Sequence, residues 1–513
     1  MRGLSVLRAV TAEQARGIEQ RAVAEAGVEL GSLMRAAGVA VAAQVEAISA
    51  EGRAVVLTGP GNNGGDGWVA ARELKRAGRE VLVVALAAPD TLRGIAAEAA
   101  ERANADGVTV VSATDADPEA VLATAEVAID AMLGTGARPE LTGEYARWCR
   151  ALNASPVPVV AVDLTTGTSA DGGAADPDAV IAESTVTFTQ PKLGLLTYPA
   201  AALAGEIAVA DIGIPESLTD VESAPEVWTP DEYADLVPLP QPDAHKNSRG
   251  RLLIVAGSRR FPGAAVLAAR AAMRAGAGYV TLAVPDAVLA TVQCHVSAAP
   301  VVGLPSGRTG SLSTAAGQAV LGMAHDYDAV VLGPGITLTD GAVATARKVI
   351  VGLDKPLVVD ADAINALVDA AELLDARTAP TVLTPHPGEL ARLTGRSAAD
   401  VQVDRVSSAK NAASLTRVVV LKGAGTVIAQ SGRSLINTSG TPALATAGSG
   451  DVLAGLLGGL LAQGLAPFDA AALAVYLHGR AGELAEQDLT TVCVNAEDLP
   501  GYLVAAFAEA LYG

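Results

Sequence analysis

The sequence predicts an α/β protein of two domains, each a parallel sheet covered by helices on both faces. Three observations predict it. Short apolar runs recur between Ala-rich helical stretches, the pattern of strands buried on both sides. That pattern breaks around Ile214–His245, which holds Pro215, Pro225, Pro230, Pro238, Pro240 and Pro242, and then restarts. The 513 residues suffice for two such domains, because a single domain can reach about 250 residues. The boundaries read as a first domain over 1–215, a linker over 216–240 and a second domain over 241–513.

In the first domain residues 1–50 read as helical, with Thr11 as a cap and Gln14 at the third helical position. Strands are expected at Ala54–Leu57, Val81–Leu86, Val108–Val111, Val127–Ile129, Val157–Val162 and Thr185–Thr189, with a helix over Trp68–Arg76. In the second domain strands are expected at Arg251–Ala256, Tyr279–Val284, Ala329–Leu332, Leu357–Val359 and Thr381–Leu383, with a helix over Gly263–Ala275. Val418–Leu421 and Val427–Ala429 flank a glycine turn, and Ser434–Asn437 extends the hairpin. Helices follow over 451–462 and 469–486.

Composition narrows the class. Half of the residues are apolar, which excludes disorder throughout. The 53 glycines lack a three-residue period, which excludes collagen. A net charge of −20 argues against general nucleic-acid binding, which rests on Lys and Arg meeting phosphates. It leaves room for one basic pocket for a small phosphorylated ligand. Cys149, Cys294 and Cys493 form neither a disulfide framework nor a metal cluster, so a reducing, cytoplasmic setting is expected. The first twenty residues carry charges where a signal peptide needs an unbroken apolar region. Val452–Ala462 is apolar or Gly throughout, but spanning a membrane takes about 20 residues. It reads as a buried helix, and no membrane partner is expected.

Five segments carry candidate chemistry. Most lie just past a predicted strand, where open α/β sheets bind ligands. Asn62-Asn-Gly-Gly-Asp-Gly67 reads as a loop opening a helix. Its glycines permit close backbone approach, free N–H groups at a helix start favour phosphate, and Asn62, Asn63 and Asp66 add polar groups. It has neither the dinucleotide fingerprint nor the Lys-Ser/Thr of the NTPase loop. A structural turn is the alternative. Asp130 and Asp163 each end a strand, ahead of Gly134-Thr-Gly136 and Thr165-Thr-Gly167. Their oxygens suit a hard cation, or each Asp caps its turn. Lys192, in Gln190-Pro-Lys-Leu-Gly194, suits a phosphate or a proton transfer, or is solvated surface. His386 sits between prolines in Thr384-Pro-His-Pro-Gly-Glu389, and its imidazole can donate or accept.

The fifth segment joins Lys422-Gly-Ala-Gly-Thr426, Asn437 and Thr446–Val452. The N–H groups of Gly448–Gly450 open an apolar helix and face where an anion sits. They suit a transferred phosphoryl group, with Asp451 placed to take a proton from an attacking hydroxyl. A capping Asp with close-packed glycines is the alternative.

On these residues the chain resembles the bifunctional NAD(P)H-hydrate repair enzymes, an epimerase fused to an ADP- or ATP-dependent dehydratase. The resemblance implies a Rossmann-like first domain and a ribokinase-like second one, both three-layer α/β. In the first half it rests on Asn62–Gly67, Asp130-Ala-Met-Leu-Gly-Thr-Gly136 and Pro191-Lys-Leu-Gly194. It implies that Asn62, Asn63, Gly64, Gly65 and Asp66, with Gly134, Thr135, Gly136, Ala137, Arg138, Pro139 and Glu140, hold the hydrated cofactor. Tyr145 falls in a substrate-contact position. Asn63, Asp130 and Thr166 would coordinate potassium, and Asp163 would act near the reacting carbon with Lys192. Two departures stand out. Asp163-Leu-Thr-Thr-Gly167 replaces the family's Asp-x-Pro-Ser-Gly, and Met34-Arg-Ala-Ala-Gly38 replaces Met-Glu-Asn-Ala-Gly.

In the second half the resemblance rests on His245-Lys-Asn, Arg251–Gly257, Pro262–Ala265, Gly333-Pro-Gly335, Asp360-Ala-Asp362 with Asn365, His386–Glu389, Lys422–Thr426 and Gly448–Asp451. It implies that Lys422, Gly423, Ala424, Gly425, Thr426 and Gly450 contact the adenine nucleotide. Ala265, Gly335, His386 and Asp451 would contact hydrated NADH or NADPH, with Asp451 as catalytic base and Mg²⁺ accompanying ADP or ATP. Related proteins usually oligomerise, so a homo-oligomer is expected. The reading from another class is a ribokinase-like small-molecule kinase whose first domain binds a ligand without catalysis.

Overall fold

The computed structural model describes residues 7–513, and the chain divides into two units at Pro225. The first six residues of the stretch read as helical lie outside the described residues. Thr11 does cap the first helix, α1 (Ala12–Ala26): its hydroxyl accepts from Gln14 N at 3.2 Å, and Gln14 Oε1 accepts from Thr11 N at 2.9 Å. A second helix, α2, runs over Leu30–Ile48.

The sheet of the first unit holds β1 (Ala54–Thr58), β2 (Val81–Ala85), β3 (Thr109–Ser112), β4 (Val127–Ala131), β5 (Val159–Val162), β6 (Ser184–Phe188) and β7 (Glu206–Ala210). Their spatial order is β3-β2-β1-β4-β5-β6-β7, all parallel. Alternate side chains of β1 enter different cores. Ala54 and Val56 join one cluster, while Val55 and Leu57 join another. Both faces are therefore dry, which is why these strands read as continuous apolar runs. The chain leaves β1 towards β2 and leaves β4 towards β5, in opposite directions. The crevice between such strands is where an open sheet admits a ligand.

One expectation is corrected here. Asn62–Gly67 is not a loop ahead of a helix; it is the first part of helix α3, Asn62–Arg76. The reason is packing. A Cβ on Gly64 would lie 2.0 Å from Gly59 O, one on Gly65 2.4 Å from Met34 Cε, and one on Gly67 2.5 Å from Ala131 Cβ. These glycines let the helix sit close against β1, β4 and α2. Likewise Asp130 lies inside β4, paired with Leu57 and Ala161, not after the strand.

The second unit has its own sheet. Its strands are β8 (Glu226–Val227), β9 (Arg251–Val255), β10 (Tyr279–Pro285), β11 (Val301–Leu304), β12 (Ala329–Leu332), β13 (Leu357–Val359), β14 (Thr381–Leu383), β15 (Arg417–Leu421), β16 (Val427–Gln430) and β17 (Arg433–Ile436). The order is β8-β17-β16-β15-β14-β13-β12-β9-β10-β11. Strands β9 to β15 run parallel, and β15-β16-β17 form an antiparallel meander. Two helices against this sheet bear on the site, α4 (Pro262–Arg274) and α5 (Pro387–Thr394). Three more close the chain: α6 (Ser449–Ala462), α7 (Pro467–Leu489) and α8 (Leu499–Tyr512).

The stretch expected as a linker divides at Pro225. From Glu226 onward it packs on the second unit. Glu226 is buried and accepts from Arg433 Nε at 2.8 Å, Arg433 Nη2 at 2.9 Å and Trp228 Nε1 at 2.7 Å. The Arg433 guanidinium lies over the rings of Trp228 and Phe468, and Tyr233 stacks on Tyr476 at 4.1 Å. Among the described residues no helix is long and apolar enough to cross a membrane.

Helix α6 is apolar on nearly every side and is buried from Val452 to Ala462. Gly455 touches the α4 backbone so closely that a Cβ would lie 2.0 Å from Ala268 O. Overpacking of this kind costs ~1–3 kcal/mol, more than the ~1 kcal/mol alanine gains over glycine in helix propensity. Gly455→Ala should therefore lower the melting temperature. Gly501→Ala, on α8 with no atom within 4 Å of the new Cβ, should leave it unchanged or raise it. Thermal unfolding of both variants checks this.

Candidate functional site

In the first unit the expected residues gather at the β1/β4 crevice. Asp130 is fully buried. Its carboxylate accepts from Thr166 N at 2.7 Å, Thr166 Oγ1 at 2.7 Å and Met132 N at 3.2 Å. Burial pushes its pKa up to about 6 against the opposing pull of those three bonds. Thr166 thus holds its loop through both hydroxyl and amide, although the family's rigid proline is missing. Asn63 lies against the Gly134 turn, where a Cβ on Gly134 would be 3.0 Å from its side-chain atoms. Asn63 Nδ2 is buried and has no hydrogen-bond partner among the described residues.

A second cluster lies past β5 and β6. Asp163 has φ +66°, a conformation uncommon outside glycine. Its Oδ1 accepts from Lys192 Nζ in a very short contact and from Thr187 Oγ1 at 3.1 Å. Lys192 Nζ also donates to Thr187 Oγ1 at 3.1 Å and Phe188 O at 3.3 Å. The Lys192 and Asp163 side chains are only 4% and 13% exposed. Asp66, on α3, is pushed well above the usual carboxylate range by burial and then by the nearby charges of Asp163 and Glu19, with Lys192 opposing. Desolvation also raises Glu19, on α1; Lys192 opposes and Asp163 adds to it. Three carboxyls therefore share one ammonium, and a carboxyl whose pKa is raised by its surroundings is equipped for acid–base work.

Other expected residues lie differently. Asn62, Gly136, Arg138 and Glu140 are exposed, and Thr135, Ala137, Pro139 and Tyr145 are half-buried. Gly64 and Gly65 are buried against protein. Met34 and Gly38, in the departing N-terminal segment, pack on α3: a Cβ on Gly38 would lie 2.8 Å from Asp66 O.

In the second unit Gly257, Gly333–Gly335, Asp360, His386 and Lys422 follow β9, β12, β13, β14 and β15, on one edge of the sheet. Lys422 Nζ donates to Asp360 Oδ1 at 3.0 Å and lies 4.0 Å from Glu389 Oε2. A Cβ on Gly450 would be 3.4 Å from that Nζ, which brings the Lys422 loop to the start of α6. Gly448, with φ +95°, caps the helix, and Asp451 N donates to Gly448 O at 3.0 Å. Burial raises Asp451 to about 7; Asp360 and Asp362 add to the shift and Lys422 opposes it. Burial alone would lower Lys422, but Asp360 and Glu389 outweigh it and raise its pKa. His386 is half exposed on its side chain and caps α5, with Nδ1 accepting from Gly388 N at 3.1 Å. Ala265 is fully buried. Gly335 lies against Phe261 and Ala264, each with an atom 2.9 Å from where its Cβ would be.

Sequence reasoning missed several residues that shape this site. Arg405 is buried and donates to the carbonyls of Leu421 at 2.9 Å, Lys422 at 3.2 Å and Gly425 at 3.4 Å. It holds the glycine loop by its oxygens; the Lys422 N–H donates to Pro385 O at 2.9 Å, and the N–H groups of Gly423–Gly425 have no partner among the described residues. His478 is buried on α7, with Nε2 3.0 Å from Ser449 O and 3.1 Å from Ser449 Oγ. Burial lowers its pKa to about 4, so it is neutral near pH 7. Neither residue, nor Glu19, sits in a local motif. Only tertiary contact reveals them.

Known proteins bear on this arrangement. A family model for NAD(P)H-hydrate dehydratase matches residues 252–504, and one for the YjeF-related protein N-terminus matches residues 30–194. The bifunctional NAD(P)H-hydrate repair enzyme of Thermofilum pendens is 39% identical over 497 residues, covering 95% of this chain and 94% of that one. The chain belongs to the family of bifunctional NAD(P)H-hydrate repair enzymes. The family member from Moorella thermoacetica is 38% identical, over 96% of this chain and 95% of its own. Among solved structures, an ADP/ATP-dependent NAD(P)H-hydrate dehydratase from Bacillus subtilis, co-crystallised with ATP and Mg²⁺, is 30% identical. It covers 55% of this chain and 98% of its own, with a TM-score of 0.48. The first unit is Rossmann-like and the second ribokinase-like.

Removing one partner of the buried Asp163–Lys192 pair leaves the other charge unpaired, at a cost of ~3–5 kcal/mol. Lys192→Met should destabilise the first unit on that scale. Asp163→Asn with Lys192→Met should recover part of the loss, as a double-mutant cycle of unfolding free energies will show.

Proposed function

We propose that this chain restores hydrated NADH and NADPH, with the first unit exchanging the R and S epimers at C6 and the second dehydrating the S form. The observation that carries the second step is Asp451. A carboxylate raised to about 7 at the head of an anion-binding helix is a general base matched to neutral pH. Asp451 takes the proton of the C6 hydroxyl, and that oxygen attacks the terminal phosphoryl group of ADP or ATP. AMP or ADP leaves in that transfer; the C6–O bond of the phosphate ester then breaks under the push of the ring nitrogen's electron pair, phosphate departs, and loss of a proton from C5 restores the C5–C6 double bond. The free N–H groups of Gly423–Gly425 and Gly450, with the Lys422 ammonium, meet the charge on the transferred group. Magnesium enters with the nucleotide phosphates as part of that substrate. The Bacillus subtilis dehydratase, crystallised with ATP and Mg²⁺, supports this choice of co-substrate.

In the first unit Asp163, Lys192 and Asp66, whose pKa burial raises, supply acid–base chemistry at the C6 carbinol. Potassium fits the Asn63, Asp130 and Thr166 group. All three offer oxygen donors, and among the described residues the buried Asp130 carboxylate is hydrogen-bonded only by the neutral groups of Met132 and Thr166. When bound, the ion supplies a positive charge there and fixes the turn that would hold the cofactor.

Two measurements test these readings. Absorbance at 340 nm is followed from mixed-epimer NADH hydrate with Mg²⁺, K⁺ and either nucleotide, against spontaneous epimer exchange. Full, fast recovery is expected. Asp451→Asn should lose ~10²–10⁴-fold in rate, and Asp163→Asn should recover the S fraction quickly and the rest at the spontaneous rate. No recovery by folded wild-type protein, with a stable phosphorylated product from another hydroxyl substrate, would instead identify a kinase. For potassium, the melting temperature should rise with K⁺ but not with choline, as for any ligand that binds only the folded state. Asp130→Asn should abolish the rise.

A further inference from the structure

We infer that Asp360 is a positioning residue of the second unit: its buried carboxylate fixes the Lys422 ammonium beside Gly450, where a transferred phosphoryl group needs a positive partner. The inference rests on the dehydratase reading above. A lysine side chain has a flexible four-carbon stem and no preferred direction of its own, so something must aim it. Asp360 is 1% exposed, and its Oδ1 receives both Lys422 Nζ at 3.0 Å and Thr384 Oγ1 at 2.6 Å. Glu389, a second carboxylate near Lys422, stands 4.0 Å away and is engaged by His386 N at 2.8 Å. Only Asp360 is within hydrogen-bond reach.

Asp360 is itself held in place. Its N–H donates to Leu332 O at 3.0 Å, and the following residue, Ala361, has φ +49°. Gly333 approaches so closely that a Cβ there would be 1.8 Å from Asp360 O. The line of support runs from the ends of β12 and β13 through Asp360 to Lys422 and on to Gly450. Without the Asp360 charge, Lys422 is free to turn to Glu389 or Asp451. Pairing with Asp451 would remove both the phosphoryl partner and the base.

The groups facing Asp451 are Asp360 and Asp362 beyond β13 and Lys422 beyond β15. His478, on α7, bonds the adjoining Ser449 and is neutral near pH 7. Asp360→Asn removes a like charge and releases a cation, and both effects favour ionised Asp451. The acid limb of its kcat profile should therefore move to lower pH.

The test measures nucleotide-dependent recovery of NADH from its S hydrate by the full chain, from pH 5.5 to 8.5. Asp360→Asn should lower kcat on the order of 10²-fold, the scale of a misplaced group, and move the acid limb down by about one pH unit. Thr384→Val keeps the carboxylate and serves if Asp360→Asn does not fold. It should lose about tenfold in kcat, with Thr384→Ser restoring it. A lower kcat with the acid limb unmoved would mean a merely structural role and overturn the inference. So would kcat within about twofold of wild type. Wild type and Asp451→Asn run alongside. If wild type shows no nucleotide-dependent recovery, the dehydratase reading falls and Asp360's role with it. If wild type recovers and Asp451→Asn does not, any failure belongs to Asp360 alone.

Discussion

A carboxylate taken out of water must be given a partner or a proton, and both units are organised around that requirement. Asp130 lies near the end of β4, Asp163 and Asp360 just past β5 and β13, and Asp451 in the first turn of α6, where backbone N–H groups converge. Each meets the requirement differently. Asp130 is met by three hydrogen bonds, Asp163 by Lys192 and Asp360 by Lys422 and Thr384. Among the described residues none hydrogen-bonds the Asp451 carboxylate, and burial raises it to about 7. In the proposed mechanism Asp130 and Asp360 hold geometry, whereas Asp163 and Asp451 act in proton transfer.

The two units solve the same problem with the same parts. Each places one buried or half-buried lysine near several acids at the C-terminal edge of a parallel sheet. Each also has a helix whose first turn is rich in glycine, so that the backbone comes close to its neighbours. What differs is the object of the lysine. Lys192 is enclosed by Asp163, Thr187 and Phe188 O, whereas Lys422 adjoins Gly450 at an open helix start. The first arrangement suits proton exchange within a fixed group. The second suits an incoming anion.

Much of this was legible in the sequence, and the reason is physical. Central parallel strands are dry on both faces, so β1, β4, β9, β12 and β13 announce themselves as apolar runs. The edge strands β7 and β11 are half exposed and went unread, although Ile207–Ala210 and Val301–Leu304 are apolar or Gly throughout. The start of α3 was misread because Gly64, Gly65 and Gly67 look like a loop until the neighbours that exclude a side chain are seen. Asp163, Lys192, Asp451 and Lys422 lie in local motifs and could be named. Glu19, Arg405 and His478 act across long stretches of chain and carry no pattern around them.

The Glu226 clasp has a consequence for how this protein can be divided. Glu226 pairs with Leu435 at the edge of the second sheet and accepts both nitrogens of the Arg433 fork. A fragment begun at residue 241 would strip β8 from the edge of β17 and leave an unprotected strand beside a guanidinium that keeps only Asp469 as its ionic partner. Unprotected edges invite pairing with other chains. The natural seam for recombining or transplanting the second unit is therefore Pro225, upstream of the prolines that look like a hinge.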